Sequence, residues 1–169
     1  TYVLQANSDA FREVYAWILG RIATSGWSEV VLMVPYFLLA AGIVFRYRRA
    51  LDVLAVGDEE AQALGLEPRK IRVIVVLAAS LGAAAAVSVS GLIGFVGIIV
   101  PHAVRLAFGA SHRVLVPLSI LFGGAFMVLA DLAARTIVEP AELPIGVVTA
   151  FLGAPFFVLV LRTSRRSVW

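Results

Sequence analysis

The 169-residue sequence contains no cysteine. That removes disulfides, a thiol nucleophile and any cysteine-ligated metal site. Charge is scarce: Asp, Glu, Lys and Arg make up 15% of the chain, against about 25% in soluble domains. No secretory signal opens the chain, because TYVLQANSDAF lacks a basic region followed by an apolar core. There is no initiator Met, so a fragment of a longer chain is expected. No P-loop, zincin pattern or dinucleotide fingerprint occurs, which excludes ATP hydrolysis by this chain itself. What is present is apolar: 61% hydrophobic residues and a mean hydropathy of +0.96. Several runs approach the ~20 apolar residues that cross a bilayer. These runs are continuous rather than alternating, which argues against a β-barrel. The sequence therefore predicts an all-α membrane protein, a polytopic helical bundle with about five transmembrane helices. Its net charge of +3 does not point to nucleic acid, since the basic residues flank apolar runs as membrane orientation requires.

Within this single transmembrane domain, 1–169, the candidate spans are 30–45, 73–90, 91–108, 114–134 and 145–161. An amphipathic helix is expected over Asp9–Ile22, followed by a loop with Trp27 as interfacial anchor and Ser28 as a helix cap. Pro35 is placed to kink the first span. In the second, Gly82, Ala86, Ser90 and Gly94 recur every four positions, a spacing that lets helices approach closely in lipid. The glycines from Gly91 onward make a re-entrant or broken stretch plausible. Gly153-Ala154-Pro155 is expected to interrupt the last span.

Five spans alternate sides, and charge distinguishes the sides. Eleven of the fourteen basic residues fall on one: Arg46, Arg48, Arg49, Arg69, Lys70, Arg72, Arg105, Arg113, Arg162, Arg165 and Arg166. Only Arg12, Arg21 and Arg135 fall on the other. The positive-inside rule makes the first side cytoplasmic, together with the C-terminus.

On that side lies the polar segment 50–71. Gly57 or Asp58 can cap a short helix, Glu59 and Glu60 occupy its first turn, and Gly65 can close it in a left-handed conformation. Pro68 blocks simple continuation. Ala61, Leu64 and Leu66 give the helix an apolar side. Inside the spans, His102 with Arg105 reads as a buried histidine beside a snorkelling arginine, with a proton relay as the alternative. Asp131 and Arg135 share a helix face near the outer boundary; an ion pair and a docking role for Arg135 stand level on the residues alone. A hydrolytic set from Ser90, His102 and Asp131 lacks a nucleophile elbow.

Five stretches occur in order: GDEEAQALGL (57–66), GLIGFVGIIVPHAVRL (91–106), HRVLVPLS (112–119), ADLAAR (130–135) and AELPIGVVTAFLGAPFFVLVL (141–161). Together they resemble the FecCD-type permeases of type II ABC importers for iron-siderophores, haem and cobalamin, from about Trp17 to Arg162. The resemblance implies a bacterial inner-membrane permease with about ten helices, of which this chain is the second half. It also implies a second permease copy in a homodimer or pseudo-dimer, surrounding membrane lipid, two cytoplasmic ABC ATPase subunits, and a periplasmic or lipid-anchored substrate-binding protein. By the same resemblance Gly57, Asp58, Glu59, Glu60, Ala61, Leu64 and Gly65 form the element coupled to the ATPase, and Arg135 meets acidic residues of the binding protein. No cofactor, metal or catalytic residue is implied, and the chain is not an enzyme. The alternative is an intramembrane enzyme or proton-relay protein using His102 or Asp131.

Overall fold

The computed structural model describes residues 14–15, 17–22, 26–137 and 143–164. Residues 9–13 of the expected N-terminal helix, Ser25 of the loop after it, the 138–142 loop and the basic end at 165–169 lie outside the described residues.

Long apolar runs without polar interruption have one stable form in lipid, the helix that satisfies its own backbone. Six helices follow among the described residues: α1 (Trp27–Leu54), α2 (Asp58–Ala63), α3 (Pro68–Ser90), α4 (Val96–Phe108), α5 (His112–Thr136) and α6 (Ile145–Ser164). α1, α3 and α5 are long and apolar enough to cross a membrane; α4 and the apolar part of α6 are shorter. The chain is a multi-pass helical membrane protein. Many large apolar side chains face outward, among them Val31, Leu77, Leu121 and Phe151, as lipid contact requires.

Several boundaries differ from the sequence expectation. α1 does not stop near Phe45 but continues through the basic cluster to Leu54. At ~1.5 Å per residue its 28 residues reach about 42 Å, beyond a ~30 Å hydrocarbon core. The last two turns therefore stand outside the span. Its cap is Gly26 rather than Ser28: the Gly26 amide donates to the Glu29 carboxylate at 2.7 Å. The expected third span, 91–108, begins five residues late, because 91–95 is not helical. α6 is not interrupted; it runs through Pro155, which a membrane helix tolerates.

The chain forms two compact units. One comprises 25–89 and 100–123. Its buried residues include Ala40, Ala61, Ile71, Ala78, Val100, Val104 and Leu115. Of the small-residue repeat, Gly82 makes a close approach, its Cβ position standing 3.0 Å from the Ala40 Cβ where α1 and α3 meet, whereas Gly94 lies beyond α3 with nothing within 4 Å of its Cβ position. Phe108 stacks on Phe122 with centroids 6.1 Å apart.

The other unit comprises 1–24, 90–99 and 124–169. Its core is Ala130, Ala134, Ile145 and Val148, with Ile22, Ile93, Phe126 and Met127 packed around it. The break after α3 exposes backbone groups that need partners away from water. The segment 17–22 supplies them. The Leu92 amide donates to the Trp17 carbonyl at 3.2 Å, the Arg21 amide to Ser90 at 2.9 Å, and the Gly146 amide to Leu19 at 3.1 Å. Gly91 turns the chain there at φ +70, and a Cβ on it would overlap the Trp17 carbonyl oxygen.

Candidate functional site

α2 is six residues long, too short to hold itself together, so its form comes from its ends. Gly57 is its N-cap in extended backbone, and three acids, Asp58, Glu59 and Glu60, stand in its first turn, where the helix dipole favours them. Its far end closes in a Schellman arrangement. The Leu66 amide donates to the Ala61 carbonyl and the Gly65 amide to the Gln62 carbonyl, each at 2.9 Å, with Gly65 at φ +76. Pro68 then opens α3, where its missing N–H costs nothing.

α2 packs against α1 through Ala61, which is fully buried. Leu66 is half-buried. Leu64 departs from the expected apolar side: it occupies the C-cap and is 69% exposed, as Val56 before the helix is 74% exposed. Two apolar side chains thus stand in water on a segment bearing three carboxylates.

The base of this element is braced by contacts the sequence reading did not anticipate. Both guanidinium amines of Arg72 donate to the two oxygens of Asp58, the first at 2.9 Å to Oδ2. This bidentate pair ties the start of α2 to α3. It also raises the Arg72 guanidinium above its ordinary value, through the hydrogen bond first and the charge second. The pair is solvent-exposed, so it positions the two helices more than it stabilises them.

Asp52, in the part of α1 beyond the span, caps a different helix. The amide of His112 donates to its Oδ1, and the Ser111 hydroxyl donates to Oδ2 at 2.9 Å. His112 Nδ1 stands 2.8 Å from Oδ1. The carboxylate therefore stands at the first turn of α5, on the positive end of its dipole. Partial desolvation pushes its pKa up; the hydrogen bonds from His112 and Ser111 outweigh this and hold the carboxyl below its ordinary value. A cap supplied sixty residues away has no local signature. The available signal was a lone acid after three arginines; the SHR turn already carries a local cap, the Arg113 amide donating to the Ser111 hydroxyl at 3.4 Å.

In the other unit, Arg135 Nε donates to Asp131 Oδ2 at 2.9 Å. The ion pair read from the i, i+4 spacing is present, and about half of the Arg135 side chain stays accessible. Asp131 is thus engaged by Arg135, while the Ser90 hydroxyl turns to the Gly91 carbonyl at 3.5 Å. His102 is half-buried in α4. Among the described residues no cluster of three His, Cys, Asp or Glu side chains could hold a metal.

A membrane bundle with a capped, acid-tipped helix between two long spans belongs to the class of membrane transport subunits. Residues 1–163 match the FecCD transport family, and the chain belongs to that family. It is 45% identical over 164 residues to the cobalamin import system permease protein BtuC of Halobacterium salinarum, covering 96% of this chain and 44% of that protein. It is 37% identical over 167 residues to the hemin transport system permease protein HmuU of Yersinia pestis, covering 99% and 49%. A solved structure described as an inward-facing ABC transporter of metal-chelate type superposes with a TM-score of 0.83 at 35% identity. It covers 89% of this chain and 50% of that one. The chain spans about half the length of the curated relatives it matches.

Proposed function

We propose that this chain is the second half of a permease subunit in an ABC importer, carrying a metal chelate or corrinoid across the bacterial inner membrane. Family membership and the cobalamin and hemin permeases among its relatives support the cargo class. The observation that carries the mechanism is α2: a helix fixed at both ends, braced to α3 by Arg72–Asp58, and presenting Val56 and Leu64 outward.

In this reading α2 and its flanks, Gly57 to Gly65, seat in a groove of a cytoplasmic ATPase. Leu64 fills an apolar pocket there, and Asp58, Glu59 and Glu60 face basic residues at its rim. Closure of the ATPase dimer on ATP displaces α2, and α1 and α3 follow because α2 is fastened to both. Asp52 draws the start of α5 along with α1. ATP hydrolysis belongs to the partner, and this chain makes and breaks no bond. Arg135, accessible beside Asp131, docks acidic residues of a substrate-binding protein on the outer face. The C-terminus lies in the cytoplasm, as the distribution of basic residues supports.

The test is Leu64→Asp in the full-length permease. Loss of ATPase co-purification and of uptake is expected. Unchanged uptake with the ATPase still bound would overturn the coupling role.

A further inference from the structure

α1 leaves its apolar window at Phe45, and Arg46 follows directly. Arg49 stands one turn further on the same face, in line with Val53. Opposite them the α2–α3 connection brings Leu66 and the first turn of α3 brings the buried Ile71. With Ala50 and Leu64, the residue proposed above to meet the ATPase, these residues enclose an open groove of about 480 Å³, with Tyr47 on its wall. No carboxylate lines it. The acids on either side are committed elsewhere, Asp52 to His112 and Ser111 and Asp58 to Arg72. Among the described residues Arg46 and Arg49 make no ion pair.

We propose that this groove binds the headgroup of an anionic phospholipid. Two guanidinium groups one turn apart match a phosphodiester, which each can hold in a bidentate manner. Their depth selects lipid. Arg46 is the first residue past the 30–45 run, so the groove opens at headgroup level, on the leaflet where anionic lipids attract basic clusters. On the membrane side of Arg46 the run from Val30 to Phe45 is apolar, which suits the acyl chains that a free phosphate lacks. Tyr47 has the amphipathic ring that favours this boundary. The site lies at the root of α2 and is independent of what the transporter carries.

The experiment uses the full-length permease in detergent, with phosphatidylglycerol or phosphatidylcholine added and bound lipid read by native mass spectrometry. Phosphatidylglycerol should be retained about tenfold better than phosphatidylcholine. Arg46→Gln/Arg49→Gln should remove that preference, while Arg46→Lys/Arg49→Lys, which keeps the charge but loses the bidentate fork, should retain only part of it. Arg48→Gln should change nothing, since Arg48 lies over the Phe45 ring, 3.8 Å from its centroid. Equal retention by the glutamine variant, or no preference in the parent, overturns the proposal. Displacement of the lipid by millimolar inorganic phosphate would show a site for any phosphate anion and also overturn it. Loss of ATPase co-purification from the glutamine variant with lipid retention unchanged would assign the groove to a protein partner instead.

Discussion

Replacing Gly91 with alanine isolates the break between α3 and α4 from every other feature of the chain. Two costs combine. An alanine at φ +70 sits in the left-handed region, about 1–2 kcal/mol above its ordinary conformations. The added Cβ also overlaps the Trp17 carbonyl oxygen, a backbone atom that cannot rotate away. Overpacking of this kind costs typically about 1–3 kcal/mol. The sum is roughly 2–5 kcal/mol, and the displaced carbonyl is the one that accepts from Leu92. Gly97→Ala is the control: it lies in α4 with nothing within 4 Å of its Cβ position, so its effect stays within about 1 kcal/mol. Thermal melts of the full-length permease followed by size-exclusion should show Gly91→Ala losing about 3–7 °C. The Gly97 variant should melt close to the parent. If both variants melt like the parent, the 17–22 segment does not close over the break and this account of the α3–α4 break fails.

Removing the Asp52 carboxylate with Asp52→Ala leaves the first turn of α5 without its remote cap, and a loss of about 1–2 kcal/mol is expected in the same melts. Because the folded-state pKa of Asp52 is lowered from 3.8, its contribution is complete above that value and disappears as pH falls below it. A parent-minus-variant difference that persisted under such acid conditions would contradict the assignment. Arg135→Glu should slow association of the substrate-binding protein, with the deficit shrinking as salt rises; association rates measured at two ionic strengths decide it. Breaking the Arg72 brace with Arg72→Ala should leave the melting temperature close to the parent's while reducing ATP-driven uptake, so a melt and an uptake assay on one preparation separate bracing from folding.

Much of this was legible because its causes are local. Hydrophobic run length marked the apolar helices but not all of their ends, Gly57 and Gly65 framed α2 as its cap and its left-handed stop, and Pro68 opened α3. The broken stretch after Ser90 followed from its glycines, and the Asp131–Arg135 pair from its spacing. What was missed depends on distant partners. Asp52 reads as an ordinary helix-end acid until α5 is placed beside it. The extension of α1 to Leu54 hides behind three arginines that resemble a terminus. Leu64 has the composition of a core residue, and only its place at the C-cap turns it outward. Gly153-Ala154-Pro155 resembles a break, yet a proline within lipid does not end a helix whose neighbours satisfy the freed carbonyl.

The most direct measurement concerns which side of the membrane α2 occupies. This half has no cysteine, so Gln62→Cys in a full-length permease with any cysteines of its other half replaced places one reporter on the exposed face of α2. A membrane-impermeant maleimide should leave it unmodified in intact cells and label it once the inner membrane is opened. Labelling in intact cells would place α2 outside, beyond reach of any cytoplasmic ATPase.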